Sequence, residues 1–338
     1  MAIYLGDINT RARGLGTRLL EPAELDRLAH ARSLFGLRRE LSALGVCHAD
    51  TPATPEGLDR AIRRRAAKLM AILGRWSTED RDPILAVVLE DEDRRSIQSI
   101  LRGAEQGAGS EARMSGLLPT TTLSERALRV LASQPTMADV VRMLVLWNHP
   151  LGAPLVEAVS ADRPSLFEVE VALQQAFAKR ALEHARKGGS HLLEYARQVV
   201  DVMNIWSVLL HFPERDETIA ELSFIEGGQT VDRELFDQLF RSETFADAHR
   251  RLARELRESA LANAFEGEPR GVASLDAAML RTQIEHQNRA ARVTPESAAP
   301  LISFALRLRA EVLNLRRVVW GVALRAPAAL IQTEMVAP

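Results

Sequence analysis

The chain of 338 residues carries 43 basic against 45 acidic side chains, a formal net charge of −2, so it lacks the positive field that would draw it to nucleic acid or anionic lipid. Its 46% apolar content is ample for buried cores, and its one cysteine, Cys47, excludes an intrachain disulfide framework and fits a reducing compartment. No apolar run approaches the ~18 residues of a spanning helix and Met1 to Tyr4 lack a signal-peptide layout, so the chain is expected to be soluble inside the cell.

Tyr4 to Leu20 reads as a short helix with an apolar stripe through Ile8, Leu15 and Leu19. Pro22 suits a first helical turn, and Leu25, Leu28, Leu34, Leu37, Leu41 and Leu44 carry helical spacing to Gly45. After a turn-rich patch from His48 to Pro55, Glu56 to Trp76 is basic on one side, through Arg60, Arg63, Arg64 and Lys68, and apolar on the other, through Leu58, Ile62, Leu69 and Leu73. That basic side fits either an acidic partner or an ordinary solvated surface. Pro83 opens a long helix to about Arg102, closed by the loop Gly103 to Gly109; a loop from Gly116 to Thr122 leads to helices at Leu123–Ser133 and Met137–Trp147, separated at Pro135. The plan then recurs: a long helix His191–His211, a break at Pro213, a loop at Gly227 and Gly228, and helices at Val231–Phe240 and Phe245–Leu261.

One signature marks the long helices. Asp93, Ser96, Ile97, Ile100 and Leu101 match Asp201, Asn204, Ile205, Val208 and Leu209, and match again Glu311, Asn314, Leu315, Val318 and Val319 in the helix Leu301–Trp320; the copies stand 108 and 110 positions apart. Under the first shift Leu85, Leu101, Leu131, Thr136, Ala138, Asp139 and Leu144 all fall on identical residues. The third copy stops before its closing pair of helices. The N-terminus can supply them, since Leu25, Leu28 and Ala29 fall on Leu128, Leu131 and Ala132 under a shift of 103. Sustained alternation and hairpin dipeptides are absent, so the expected class is all-α: three similar helical bundles, 1–115, 116–225 and 226–338, in a pseudo-threefold ring whose two chain ends complete one repeat.

The sequence has no phosphate loop, paired-cysteine metal motif, His-Glu-x-x-His or Gly-x-Ser-x-Gly, and the glycines at 188–189 and 227–228 read as helix-ending turns. His149, His184, His191, His211, His249 and His286 show no ligand spacing and read as surface or interhelix residues, and Cys47 has only His48 beside it. The acidic run Glu90 to Asp93 admits a helical metal-dependent enzyme using Asp91 and Asp93 for Mg²⁺ and a diphosphate. Only one acid recurs in each copy, however, beside Ser96, Asn204 or Asn314. A buried hydrogen bond that holds each repeat in register accounts better for Asp93, Asp201 and Glu311.

Several motifs together resemble the C subunit of V/A-type rotary ATPases (ATP synthases), the relative of the eukaryotic V-ATPase d subunit: Tyr4 with Arg11, Arg13 and Leu19-Leu20; His149-Pro-Leu; Phe224 to Phe236; and Glu311 to Trp320 running into Ala326-Pro327 and the end from Glu334 to Pro338. The resemblance covers essentially the whole chain in order, with Ser96 and the stretch Leu210 to Phe212 as its departures. It implies a funnel of three helical domains acting as a non-catalytic socket between the central shaft, built from the D and F subunits, and the membrane rotor ring, for proton or sodium transport linked to ATP. It further implies a cytoplasmic protein peripheral on the cell membrane through its complex, with no cofactor, small-molecule substrate, nucleic acid or lipid anchor of its own. The periodicity alone leaves a free-standing helical scaffold or adaptor open.

Overall fold

The computed structural model describes residues 5–76, 82–211, 217–267 and 271–336. Tyr4, Phe212, Pro213 and the terminal Ala337-Pro338 lie outside the described residues. The chain is 71% helical and, among the described residues, has sixteen α-helices and no strand. In chain order they are α1 Gly6–Gly16, α2 Pro22–Ala29, α3 Leu34–Ala43, α4 Pro55–Gly74, α5 Asp82–Glu105, α6 Ser110–Met114, α7 Glu125–Ala132 and α8 Met137–Leu146. There follow α9 Leu166–Gly188, α10 Ser190–His211, α11 Glu217–Ser223, α12 Arg233–Phe240, α13 Phe245–Glu255, α14 Val272–Val293, α15 Ala299–Ala323 and α16 Ala328–Glu334.

The short helices repeat with their starting signals. Shifted by 103 positions, α2 and α3 coincide end to end with α7 and α8, and a further shift of 108 carries those onto α12 and onto all but the last residue of α13. Each first member starts at a side-chain cap: a reciprocal box between Glu21 and Glu24, then Ser124 and Asp232 accepting from the backbone three residues on. Each second member does the same with Ser33, Thr136 and Thr244. Such caps satisfy amide groups that a helix start leaves open, worth about 1 kcal/mol each, and they fix where each helix begins.

The signature helices are α5, α10 and α15. Two further long helices, α9 and α14, were not among the expected elements. α9 buries Val169, Leu173, Phe177, Ala181 and Ala185 at four-residue spacing, a stripe whose second half is alanine and so only weakly apolar. It packs between α5 and α10, while α15 packs on α14, α4 and α1. The contact of α4 with α15 joins the first third of the chain to the last. The expected helix Phe245–Leu261 ends at Glu255, and a 3₁₀ turn, Ala262–Phe265, follows.

The buried apolar side chains form a main core, spread over α1 to α10 and α14 to α16, and a second core around Val208, Phe236, Leu239, Leu252, Phe265 and Leu275. α10 contributes to both, with Val199 and Met203 in the first and Val202 and Ile205 in the second. α14 does the same, with Ala277, Leu280 and Ile284 in the first and Leu275, Ala278 and Met279 in the second, so two helices tie the cores together.

Candidate functional site

The three recurring acids sit on equivalent turns of α5, α10 and α15, and each grips a segment outside its own helix. Asp201 accepts backbone N–H bonds from Gln229 (3.0 Å), Thr230 (3.2 Å) and Val231 (2.9 Å) on Oδ1, and from Thr230 (3.0 Å) on Oδ2. Gly228 makes that approach possible, because a Cβ there would lie 2.3 Å from Asp201 Oδ1. Gly227 and Gly228 thus form the gripped turn itself, beyond the end of α11, and are not a helix-ending turn. Gly189, at φ +97, does end α9.

Asp93 grips the corresponding loop through side chains: its Oδ1 accepts from the Thr120 hydroxyl at 2.5 Å, its Oδ2 accepts from Thr122, and His149 Nε2 lies 3.3 Å away. Glu311 grips the N-terminal segment, accepting from the Leu20 N–H at 2.5 Å and from Arg65. Under the two shifts Leu20, Leu123 and Val231 are equivalent positions, so all three acids hold the same place in the repeat. Asp93 and Asp201 thus hold loops, and Glu311 holds both the Leu20 loop and Arg65 on α4.

The polar residue one turn on acts alongside. Asn204 donates to the Ile225 carbonyl and accepts from the Ile225 N–H, both at 2.9 Å. Asn314 does the same with Val336, both at 2.8 Å. Ser96 is buried at the equivalent place, and its shorter side chain has one oxygen where the Asn amide presents a separate donor and acceptor atom. Burial pushes the Asp201 carboxyl up to about 6, against the lowering by the Val231, Thr230 and Gln229 amides. Burial likewise raises Glu311, partly offset by Arg65 and the Leu20 N–H.

Two positions before the signature acids stand Asp91, Val199 and Arg309. Asp91 and Arg309 meet: Arg309 donates to Asp91 at 2.7 Å and also pairs with Glu92, although the two helices are remote in sequence. Asp91 further accepts from Arg94 (2.7 Å) and Arg95 (3.2 Å), and Arg94 stacks on Phe177, 5.2 Å from its ring centre. Although burial pushes the Asp91 carboxyl up, Arg95, Arg94 and Arg309 outweigh it and hold the group well below the usual carboxylate range. Burial works against the Arg309 charge too, and Glu92 with Asp91 overrides it, so the guanidinium stays charged. Glu90 pairs with Arg180 on α9 through two bonds of 2.8 and 2.9 Å.

This network borders a cavity of about 690 Å³, lined by Arg95, Arg102, Val199, Trp206, Gln283 and Arg309, among others. It brings α5, α10 and α15 together with α9 and α14. The arrangement also corrects the reading of Asp91 and Asp93 as one metal site: Asp91 faces three guanidinium groups, and Asp93 is committed to two threonines and a histidine, so the two carboxylates do not converge. His149, read as a surface or interhelix residue, is a buried loop residue on Asp93. The basic face is altered as well, because Arg63 is buried against Asp59 at 2.9 Å. Cys47 has its thiol raised by burial, which Thr51 and Arg38 only partly offset, so little of it is thiolate at neutral pH.

Sequence reasoning missed Arg65, Thr120 and Leu20 as partners and Arg309 as the cross-repeat ion pair. A signal existed only for the gripped loops themselves: Thr122 and Thr230 are identical under the shift of 108 and stand at equal distances beyond Asp93 and Asp201.

The family model for the ATP synthase (C/AC39) subunit matches residues 8–334. The chain belongs to the ATP synthase C/AC39 subunit family. Among named relatives, it is 30% identical over 188 residues to the C subunit of the V-type ATP synthase of Thermus thermophilus, a match covering 54% of this chain and 55% of that protein. It is 26% identical over 333 residues to the C subunit of the A-type ATP synthase of Halorubrum lacusprofundi, covering 93% of this chain and 89% of that one. The aligned part thus spans about half the length of the Thermus relative and most of the Halorubrum one. For a member of the C/AC39 family the all-helical fold is in keeping, and among the described residues no helix is long and apolar enough to cross a membrane.

Proposed function

We propose that this C/AC39 family member is the non-catalytic socket of a V/A-type rotary ATPase, coupling the central shaft, built from the D and F subunits, to the membrane rotor ring for ATP-linked proton or sodium transport. One observation carries the reading most directly: Asp91 and Arg309 occupy the same place in two different repeats and form an ion pair beside a cavity shared by all three signature helices. Equivalent positions of a repeat approach one another only near its axis. We take the architecture to be three units, 1–115, 116–225 and 226–338, in a pseudo-threefold funnel, with α2 and α3 completing the third. The grip of Glu311 on the Leu20 amide and of α4 on α15 supports that closure.

A socket that passes torque needs walls that do not shear. Each acid here fastens a signature helix to a loop, and the Asp91–Arg309–Glu92 group fastens two repeats together. Buried charged pairs of this kind cost several kcal/mol to break once one partner is removed. In this reading the protein sits on the cytoplasmic side, held at the membrane through its complex.

The test is ATP-driven ion pumping by vesicles reconstituted with and without the chain, beside ATP hydrolysis by the soluble head. Pumping should stop without it while hydrolysis continues. Full-rate pumping by vesicles lacking the chain, or nucleotide hydrolysis by the purified chain, would sink the proposal.

A further inference from the structure

The segments joining each second short helix to the next long helix differ in one respect. In 147–165 a 3₁₀ turn, Ala153–Leu155, buries Leu155 completely and packs on α9; in 256–271 the turn Ala262–Phe265 buries Ala264 and Phe265 and packs on α14. The counterpart, 44–54, is shorter and has no such turn, although it is described throughout. Where the other repeats fill the space beside their long helix, this one leaves a groove of about 1430 Å³ along α4.

The groove runs from Gly57 to Arg75, about 27 Å at the rise of an α-helix. Arg60, Arg64 and Lys68 line it one turn apart, with Arg75 beyond them and Arg18 across from them, while Leu44, Ala61, Leu69 and Ile72 supply apolar floor between the charges. The lining carboxylates are only Glu24 and Asp50. Internal neutralisation is weak: Arg60 reaches Glu111 at 3.9 Å and Arg64 reaches Glu125 at 3.5 Å, and no carboxylate among the described residues pairs with Arg18 or Lys68. Arg60 Nε is buried without a hydrogen-bond partner, a donor left open at the wall.

We propose that this groove is the docking site for an acidic, amphipathic helical segment of a partner protein, which takes the place of the missing 3₁₀ turn. Cations at successive four-residue intervals match carboxylates at the same intervals on a facing helix, and the apolar strip between them matches such a helix's apolar edge. A small anion would leave most of the groove empty. A lipid surface fits poorly, because the groove is recessed and carries Glu24 and Asp50 in its lining. The proposal holds whether or not the partner belongs to a rotary ATPase.

The experiment places the photoreactive residue p-benzoylphenylalanine at Ala71, an exposed position in the groove, in the full chain expressed in intact cells, and identifies the adduct by mass spectrometry. The expected product is a protein segment with a net negative helical face. Its yield should fall roughly tenfold when Arg64→Glu and Lys68→Glu are combined, and by less with Arg64→Gln and Lys68→Gln, circular dichroism showing that the helices are kept. An adduct only with lipid, an adduct with a neutral or basic segment, a yield indifferent to the charge changes, or no adduct would each overturn the proposal. The identity of the adduct partner reports separately on the rotary reading.

Discussion

Replacing Asn204 with Leu, a side chain of similar size, tests the clamp most directly. Asn204 is fully buried and makes two bonds to Ile225, each 2.9 Å, so the substitution removes both and leaves a buried N–H and a buried carbonyl without partners. Two lost bonds at about 1 kcal/mol each, with part of the desolvation cost of the orphaned groups, give roughly 2–4 kcal/mol of destabilisation. For a chain of this length unfolding as one unit, that corresponds to a fall in Tm of about 3–6 °C. Urea or thermal unfolding followed by circular dichroism gives the magnitude. Hydrogen exchange gives the location, because the amide of Ile225 should lose its protection before those of α4 or α5. A change within about 0.5 kcal/mol, the usual range for a surface substitution, would mean that the bonds contribute nothing and that the clamp reading is wrong.

Gly228→Ala should destabilise the protein by about 2 kcal/mol or more, because the added methyl group meets the Asp201 carboxylate at 2.3 Å; an unchanged unfolding curve would contradict the gripped turn. Arg309→Met should cost about 3–5 kcal/mol by leaving Glu92 buried without its partner, and pairing it with Glu92→Gln should recover part of that loss in a double-mutant cycle. Asp201 sits at about 6 when folded, above its unfolded value near 4, so the folded state binds more protons in this window and stability from this group falls as pH rises from about 4 to 6, by at most ~3 kcal/mol. Asp201→Asn should flatten that slope in urea titrations across the same pH range. Asp91 has the opposite sign: its depressed carboxyl contributes stability above the unfolded value that is lost as pH falls further, so Asp91→Asn should blunt the acid limb of the same curves.

The sequence alone determined the helical class, the positions of the signature helices and the repeat. Those depend on local chemistry: apolar spacing along Leu301 to Trp320, caps at Thr136 and Thr244, and recurring acids whose cost of burial leaves few substitutes. It also held the start of each short helix, since a cap is a property of neighbouring residues. It did not reveal α9, half of whose buried stripe is alanine, or α14, which turns Ala277, Leu280 and Ile284 to one core and Leu275, Ala278 and Met279 to the other, so that a one-sided pattern is missing there. The partners of the recurring acids were hidden for a different reason. Asp201 binds backbone amides, and a backbone amide is present at every residue and has no letter in the sequence. Glu311 with Leu20, and Arg309 with Asp91, join residues from opposite parts of the chain, and only the fold brings them together. The groove along α4 belongs to the same class: its cations are legible as a basic stripe, but the open space they face appears only in the packed fold.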